Sequence, residues 1–251
     1  MTRHLPTPAY NAYHAQDQIQ DAEYEMIPEL DAVALATDTG ANKRLPCAIL
    51  ADASSSMAKD IGALNAGLAA LHADLCSHPI AAEVVELMVI RFGGDARVVQ
   101  DFATPGSTAP PTLRAGGGTP MGRAVEMAVE RVQARAKALR EQGIDVLVPW
   151  VFLITDGCPT DNISRARTLV SRSAAGHNER RRALNLFAVG TETADFAMLK
   201  QLSPVNPPLH LQGCDFKALF DFVSQSLTLA SGSQPGQAVQ PQLPQQITIV
   251  T

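Results

Sequence analysis

Apolar and polar positions alternate between two rhythms through residues 45–230. LPCAILAD (45–52) is a nearly continuous apolar run, the pattern of a strand buried on both faces. Behind it Met57, Ile61, Leu64, Leu68, Leu71 and Leu75 fall at spacings of three and four, one stripe of an amphipathic helix over 57–77. VVELMVIRF (84–92) and ARVVQDF (96–102) flank Gly93-Gly94-Asp95 and predict a hairpin. A Pro/Gly-rich loop (104–118) leads to a helix over 120–140 that buries Met121, Val125, Ala128, Val132 and Leu139. The theme then repeats: strand 149–155, helix 161–175, strand 183–190, short helix 195–202, a last strand at 209–211 and a helix over 215–229.

Such alternation predicts an α/β fold: a Rossmann-like, doubly wound, mostly parallel sheet with one antiparallel edge strand and helices on both faces. Ligands of these sheets bind beyond the carboxyl ends of strands, where strand order reverses. The loops that follow residues 51 and 155 are therefore the places to look for chemistry.

Composition sets limits. The chain has 251 residues, 46% of them hydrophobic, which is enough to bury a core. It contains no long uncharged apolar run, so no membrane span is expected, and its first residues lack the apolar stretch of a secretory signal. The net charge of −5 argues against wholesale binding to nucleic acid. Cys47, Cys76, Cys158 and Cys214 are far apart, with neither zinc-ligand spacing nor a disulfide framework, and point to a reduced, cytoplasmic chain.

The ends differ from the body. Residues 1–44 form an acidic leader, with six acids and no base in 17–31. The expected domain covers 45–230, and 231–251 is a Pro/Gln-rich tail without charge. The tail closes on β-branched Ile247–Thr251, a good added strand, and the leader's EMIPELDAVALA is too apolar for a plain acidic tail. Both ends are expected to pack onto the domain or a partner. Arg180-Arg181-Arg182 is the densest basic spot, read as a solvated loop or a dock for an acidic segment.

Three loops carry the chemistry. They read Asp52-Ala53-Ser54-Ser55-Ser56, Gly116-Gly117-Gly118-Thr119-Pro120, and Thr155-Asp156-Gly157-Cys158-Pro159-Thr160-Asp161. Carboxylates and hydroxyls are hard donors that suit Mg²⁺, Mn²⁺ or Ca²⁺ better than zinc. Neutral hydroxyl ligands would leave the ion under-neutralised, with a position open for an outside anion. Bland readings stand beside this one: Ser56 as the N-cap of the helix it precedes, and Asp161 as the N-cap of the helix that follows it. Gly117–Gly122 is a near miss to a phosphate-binding loop, with Arg123 for the required Lys and Ala124 for the Ser or Thr.

D-x-S-x-S, a distant Thr behind a glycine run, and T-D-G after a buried strand resemble the metal-ion-dependent adhesion site (MIDAS) of von Willebrand factor A domains. The resemblance covers about 45–230 and is nearest to small bacterial stand-alone members, including those associated with tellurite resistance, whose GGTP-x-G and TDG-x-PTD stretches have counterparts at Gly117–Gly122 and Thr155–Asp161. It maps the metal ligands onto Asp52, Ser54, Ser56, Thr119 and Asp156, with Mg²⁺ as the expected ion. It implies a non-enzymatic module that binds a partner's Asp or Glu through the metal, in a stress-response or signalling system with kinases or phosphatases. The family has Gly where this chain has Ser55; if that position requires a positive φ, Ser costs on the order of 1 kcal/mol. The alternatives are a metal-assisted hydrolase and an assembly subunit whose metal is structural.

Overall fold

The computed structural model describes residues 42–175, 183–232 and 242–250. Leader residues 1–41, including EMIPELDAVALA, and Arg180–Arg182 lie outside the described residues.

The central strand is β1 (Lys43–Asp52), and its side chains explain the layers. Cys47, Ile49 and Ala51 point into one core, while Ala48 and Leu50 point into another on the opposite face. The strand is therefore apolar throughout, because neither face meets water. β5 (Trp150–Thr155) divides the same way, with Trp150, Phe152 and Ile154 on the first face and Val151 and Leu153 on the second.

β2 (Val85–Gly93) and β5 flank β1 in parallel, β6 (Asn185–Gly190) lies parallel beyond β5, and β7 (Leu209–Leu211) beyond β6. β3 (Asp95–Ala103) turns back antiparallel on β2 through the Gly94 hairpin, as its pattern predicts. The two-residue β4 (Asp145–Val146), too short to leave a sequence signal, pairs with the start of β1.

One expectation needs correction. The sheet has antiparallel strands at both edges, because β8 (Ile247–Ile249) pairs antiparallel with β7. Its β-branched residues fit a pleated edge, and Ile247 is buried in the core. The tail thus returns to the sheet, and β1 starts two residues before the expected boundary.

Helices α1 (Ile61–Ser77), α2 (Pro79–Val84) and α6 (Phe216–Gly232) contribute to the first core. The second takes in α3 (Met121–Glu141), α4 (Ser164–Ala175) and α5 (Phe196–Leu202). The predicted helix over 57–77 is in fact a 3₁₀ turn, Ser55–Lys59, followed by α1. Gly67 lets α1 and α6 meet closely, since a Cβ there would lie 2.4 Å from a ring carbon of Phe220. Among the described residues, no helix is long and apolar enough to cross a membrane.

One buried ion pair ties a helix to the sheet. Glu86 on β2 has only 6% of its side chain exposed and takes a bidentate pair from Arg135 on α3, with both bonds at 2.6 Å. Removing the arginine leaves the interior carboxylate with Arg44, whose Nε lies 3.8 Å away, in place of a bidentate partner. Arg135→Ala is expected to cost about 2 kcal/mol, less than a fully enclosed pair because the arginine keeps a third of its side chain in solvent. Breaking the exposed Lys137–Glu141 pair should leave the unfolding midpoint unchanged. Denaturant melts of the two variants check both.

Candidate metal centre

β1 and β5 are adjacent and parallel, so the loops that leave their carboxyl ends emerge side by side. Asp52 is the last residue of β1 and Asp156 follows the last residue of β5. The chain reverses direction within the sheet at this junction: β2 and β3 lie to one side of β1, and β5 to β8 to the other.

Asp52 is fully buried, and both its oxygens are occupied. Oδ1 accepts the backbone N–H of Ser54 at 2.8 Å, and Oδ2 accepts the Thr155 hydroxyl at 2.5 Å. Burial drives its pKa upward; the bonds from Thr155 and Ser54 oppose that shift, and the nearby charge of Asp156 adds to it. Ionised Asp52 is therefore costly in the folded interior.

A line of hydroxyls leads from it to the second carboxylate. Ser54 Oγ lies 2.9 Å from Ser56 Oγ, and the Ser56 hydroxyl donates to Asp156 Oδ1 at 2.8 Å. Ser54 and Asp156 are buried, whereas Ser56 is exposed and opens the group to solvent. The 3₁₀ turn makes this possible, because its tight backbone returns Ser56 beneath the β5 loop. Ser56 is thus not the N-cap of a following helix; it bonds across to Asp156.

Thr119 arrives by a backbone contact. Gly116 N–H donates to the Ala53 carbonyl at 2.8 Å, Ser55 N–H to the Gly117 carbonyl at 3.0 Å, and Gly94 N–H to the Gly118 carbonyl at 2.8 Å. Glycine is required for this approach. A Cβ on Gly93 would sit 2.1 Å from the Ala53 carbonyl oxygen, and one on Gly117, whose φ is +77°, 2.4 Å from Gly94 Cα. Thr119 and Thr160 then clasp each other, Thr119 N–H to Thr160 Oγ1 and Thr160 N–H to the Thr119 carbonyl, each at 2.9 Å. Thr119 itself is buried.

The condition attached to Ser55 is not met, and it pays no left-handed penalty: among the described residues Cys214 alone, of the non-glycines, has a positive φ. The Ser55 hydroxyl donates to the Gly117 carbonyl at 3.1 Å and straps the two loops together. Asp161 does cap a helix, but not the one that follows it. Its carboxylate takes the N–H groups of Gly122 and Arg123 at 3.0 and 2.8 Å, at the start of α3.

Sequence reasoning assigned no role to two further residues. Thr155 holds Asp52 and accepts the Gly157 N–H at 3.2 Å, a role hidden inside the T-D-G motif. The Thr193 hydroxyl, from the loop after β6, donates to the Asp156 carbonyl. It lies 37 residues away, and nothing local signals it.

No protein-family model matches the sequence, and no curated protein matches it. Solved structures match it in shape. The von Willebrand factor type A protein of Catenulispora acidiphila aligns over 77% of this chain and 44% of its own, at 17% identity and a TM-score of 0.52. The fold is that of a von Willebrand factor A domain. The pilus adhesin SpaC of Lactobacillus rhamnosus GG aligns over 76% of this chain and 30% of its own, at 13% identity and a TM-score of 0.56. Proximal thread matrix protein 1 from the mussel byssus, solved with a zinc-occupied MIDAS motif, aligns over 74% and 48%, at 15% identity and a TM-score of 0.51. The chain therefore spans less than half the length of each of these three.

The donor chemistry on this von Willebrand A fold suits a hard divalent cation. Among the described residues no group of three or more His, Cys, Asp or Glu side chains is placed to hold a metal. Two carboxylates and a serine pair within hydrogen-bond reach supply the oxygen donors here, and a bound cation would offset the buried charge of Asp52.

The electrostatics set a direction for pH. An aspartate with a raised folded pKa binds its proton more tightly folded than unfolded, so its contribution is favourable in acid and fades as pH rises through the folded pKa. Without metal, Asp52→Asn should therefore gain stability relative to the parent as pH rises from the ordinary aspartate range to neutrality, as melts across that range would record. Gly117→Ala should cost about 2 kcal/mol or more through its left-handed backbone and its clash with Gly94.

Proposed function

We propose that the chain is a metal-dependent protein-binding module in which Asp52, Ser54, Ser56, Thr119 and Asp156 hold Mg²⁺, or Mn²⁺ or Ca²⁺ in its place. The observation that carries this reading is the continuous line from buried Asp52 through Ser54 and the exposed Ser56 to the carboxylate of Asp156. Neutral hydroxyls contribute no charge, so an ion held partly by them keeps affinity for an external anion. The partner accordingly offers an Asp or Glu side chain.

Non-enzymatic binding is preferred to metal-assisted hydrolysis on the state of Asp52. It is fully buried and both its oxygens already accept hydrogen bonds, so it is not placed to take a proton from an attacking water. The structural-metal alternative is disfavoured by the exposure of Ser56, which leaves the group open to solvent.

The resemblance noted from the motifs extends the proposal to a reduced, cytoplasmic setting and a bacterial stress-response or signalling system, with a kinase or phosphatase as candidate partner and neither nucleic acid nor membrane as ligand. The four cysteines are free, in keeping with a reducing compartment.

The test is capture from source-cell lysate on immobilised protein in Mg²⁺ or in EDTA, paired with thermal melts. A partner held in Mg²⁺, released by EDTA and lost with Asp52→Asn or Ser56→Ala is expected. The parent should melt higher in millimolar Mg²⁺ and the variants should not. A parent melt indifferent to every divalent ion tried would remove the metal from the proposal.

A further inference from the structure

The last two turns of α1 carry a second donor pair, separate in position and chemistry from the first. His72 and Cys76 stand one helical turn apart on the same face. His72 Nε2 lies 2.6 Å from the carbonyl oxygen of Thr108, in the loop that leads to the glycine run. A carbonyl only accepts, so Nε2 carries the hydrogen and Nδ1 of the neutral ring presents its lone pair. That lone pair faces Cys76, whose Sγ is 3.9 Å away. Metal-bound histidines are characteristically oriented this way, with one nitrogen donating to a carbonyl and the other free to ligate.

The bite also fits. With Zn–S of about 2.3 Å and Zn–N of about 2.0–2.1 Å, tetrahedral geometry places sulfur and nitrogen roughly 3.6 Å apart. The observed 3.9 Å closes to that with a small side-chain rotation. Cys76 is exposed and His72 half-buried, so an ion reaches the pair from solvent without unfolding anything. The helix end adds to the attraction: its last carbonyls carry partial negative charge, and no basic residue occupies the last turn of α1 to offset it.

We propose that His72 Nδ1 and Cys76 Sγ form a two-residue site for a borderline-soft divalent ion of the Zn²⁺ type, with water in the remaining positions. Thiolate and imidazole select such ions over Mg²⁺ and Ca²⁺, whereas the oxygen donors around Asp52 have the opposite preference. Binding replaces the thiol proton, so that Cys76–SH and M²⁺ give Cys76–S–M and H⁺, and affinity rises with pH. Because Thr108 holds the histidine, an ion here would also pin the 104–118 loop against α1, beside the existing clasp in which Asn65 donates to the Leu113 carbonyl at 2.9 Å and accepts its N–H at 2.8 Å.

The probe is Co²⁺, added to the purified, reduced full chain in excess Mg²⁺, which occupies hard-donor sites without competing for thiolate. A thiolate-to-cobalt charge-transfer band in the near ultraviolet is expected, to be displaced by Zn²⁺. Cys76→Ser and His72→Gln should each abolish it. Cys158→Ser, Cys214→Ser and Asp52→Asn should leave it intact, which separates this site from the proposed adhesion site. Absence of the band in the parent, its survival in Cys76→Ser, or its survival in His72→Gln would each overturn the assignment.

Discussion

An aspartate sealed inside a protein needs either a proton or a compensating charge, and Asp52 sits fully buried at the end of the central strand β1. The geometry around it answers that constraint. Its oxygens are claimed by a backbone N–H two residues on and by a hydroxyl from the neighbouring strand, which orients the carboxylate without neutralising it. The remaining demand is for positive charge, which the surrounding donors are suited to deliver as an ion. Were Thr155 apolar, the parallel register of β1 and β5 would still bring the loops together, but the carboxylate would lose the bond that orients it.

The glycines serve the same end by a different means. Loops that carry hydroxyls from three distant parts of the chain must come within hydrogen-bonding distance of each other's backbone, and side chains would hold them apart. Gly93 and Gly117 remove that obstacle at the two tightest contacts, and Ser55 then bridges the gap by side chain as well as by main chain. Rigidity at these loops follows from the density of backbone bonds. Access follows from the 3₁₀ turn, which leaves Ser56 at the surface.

Helix α1 links the two donor sets. Its start follows the turn that Ser54 caps and Ser56 occupies, and its last two turns carry His72 and Cys76. Between them, Asn65 and His72 both bind the loop that delivers Thr119. The donor types at the two ends differ, oxygen at one and a thiol–imidazole pair at the other, and so differ in the softness of the ion they suit.

Much of this was legible in the chain itself. Runs such as LPCAILAD and WVFLIT, short, apolar throughout and alternating with helical patterns, read as strands covered on both faces, and that implies helices on either side of a parallel sheet. The D-x-S-x-S, glycine-run and T-D-G signals were likewise local and readable. What tertiary structure decided were the interactions between residues remote in sequence. Asp161 caps a helix that begins 40 residues before it, Thr193 reaches the Asp156 carbonyl, Ser55 needs no left-handed backbone because it lies in a 3₁₀ turn, and the tail's β-branched residues complete an edge opposite the predicted one. Periodicity reports which face of an element is buried, since that is a property of successive residues. It is silent on which distant hydroxyl or N–H meets a given oxygen, because that depends on how the elements are ordered in the sheet.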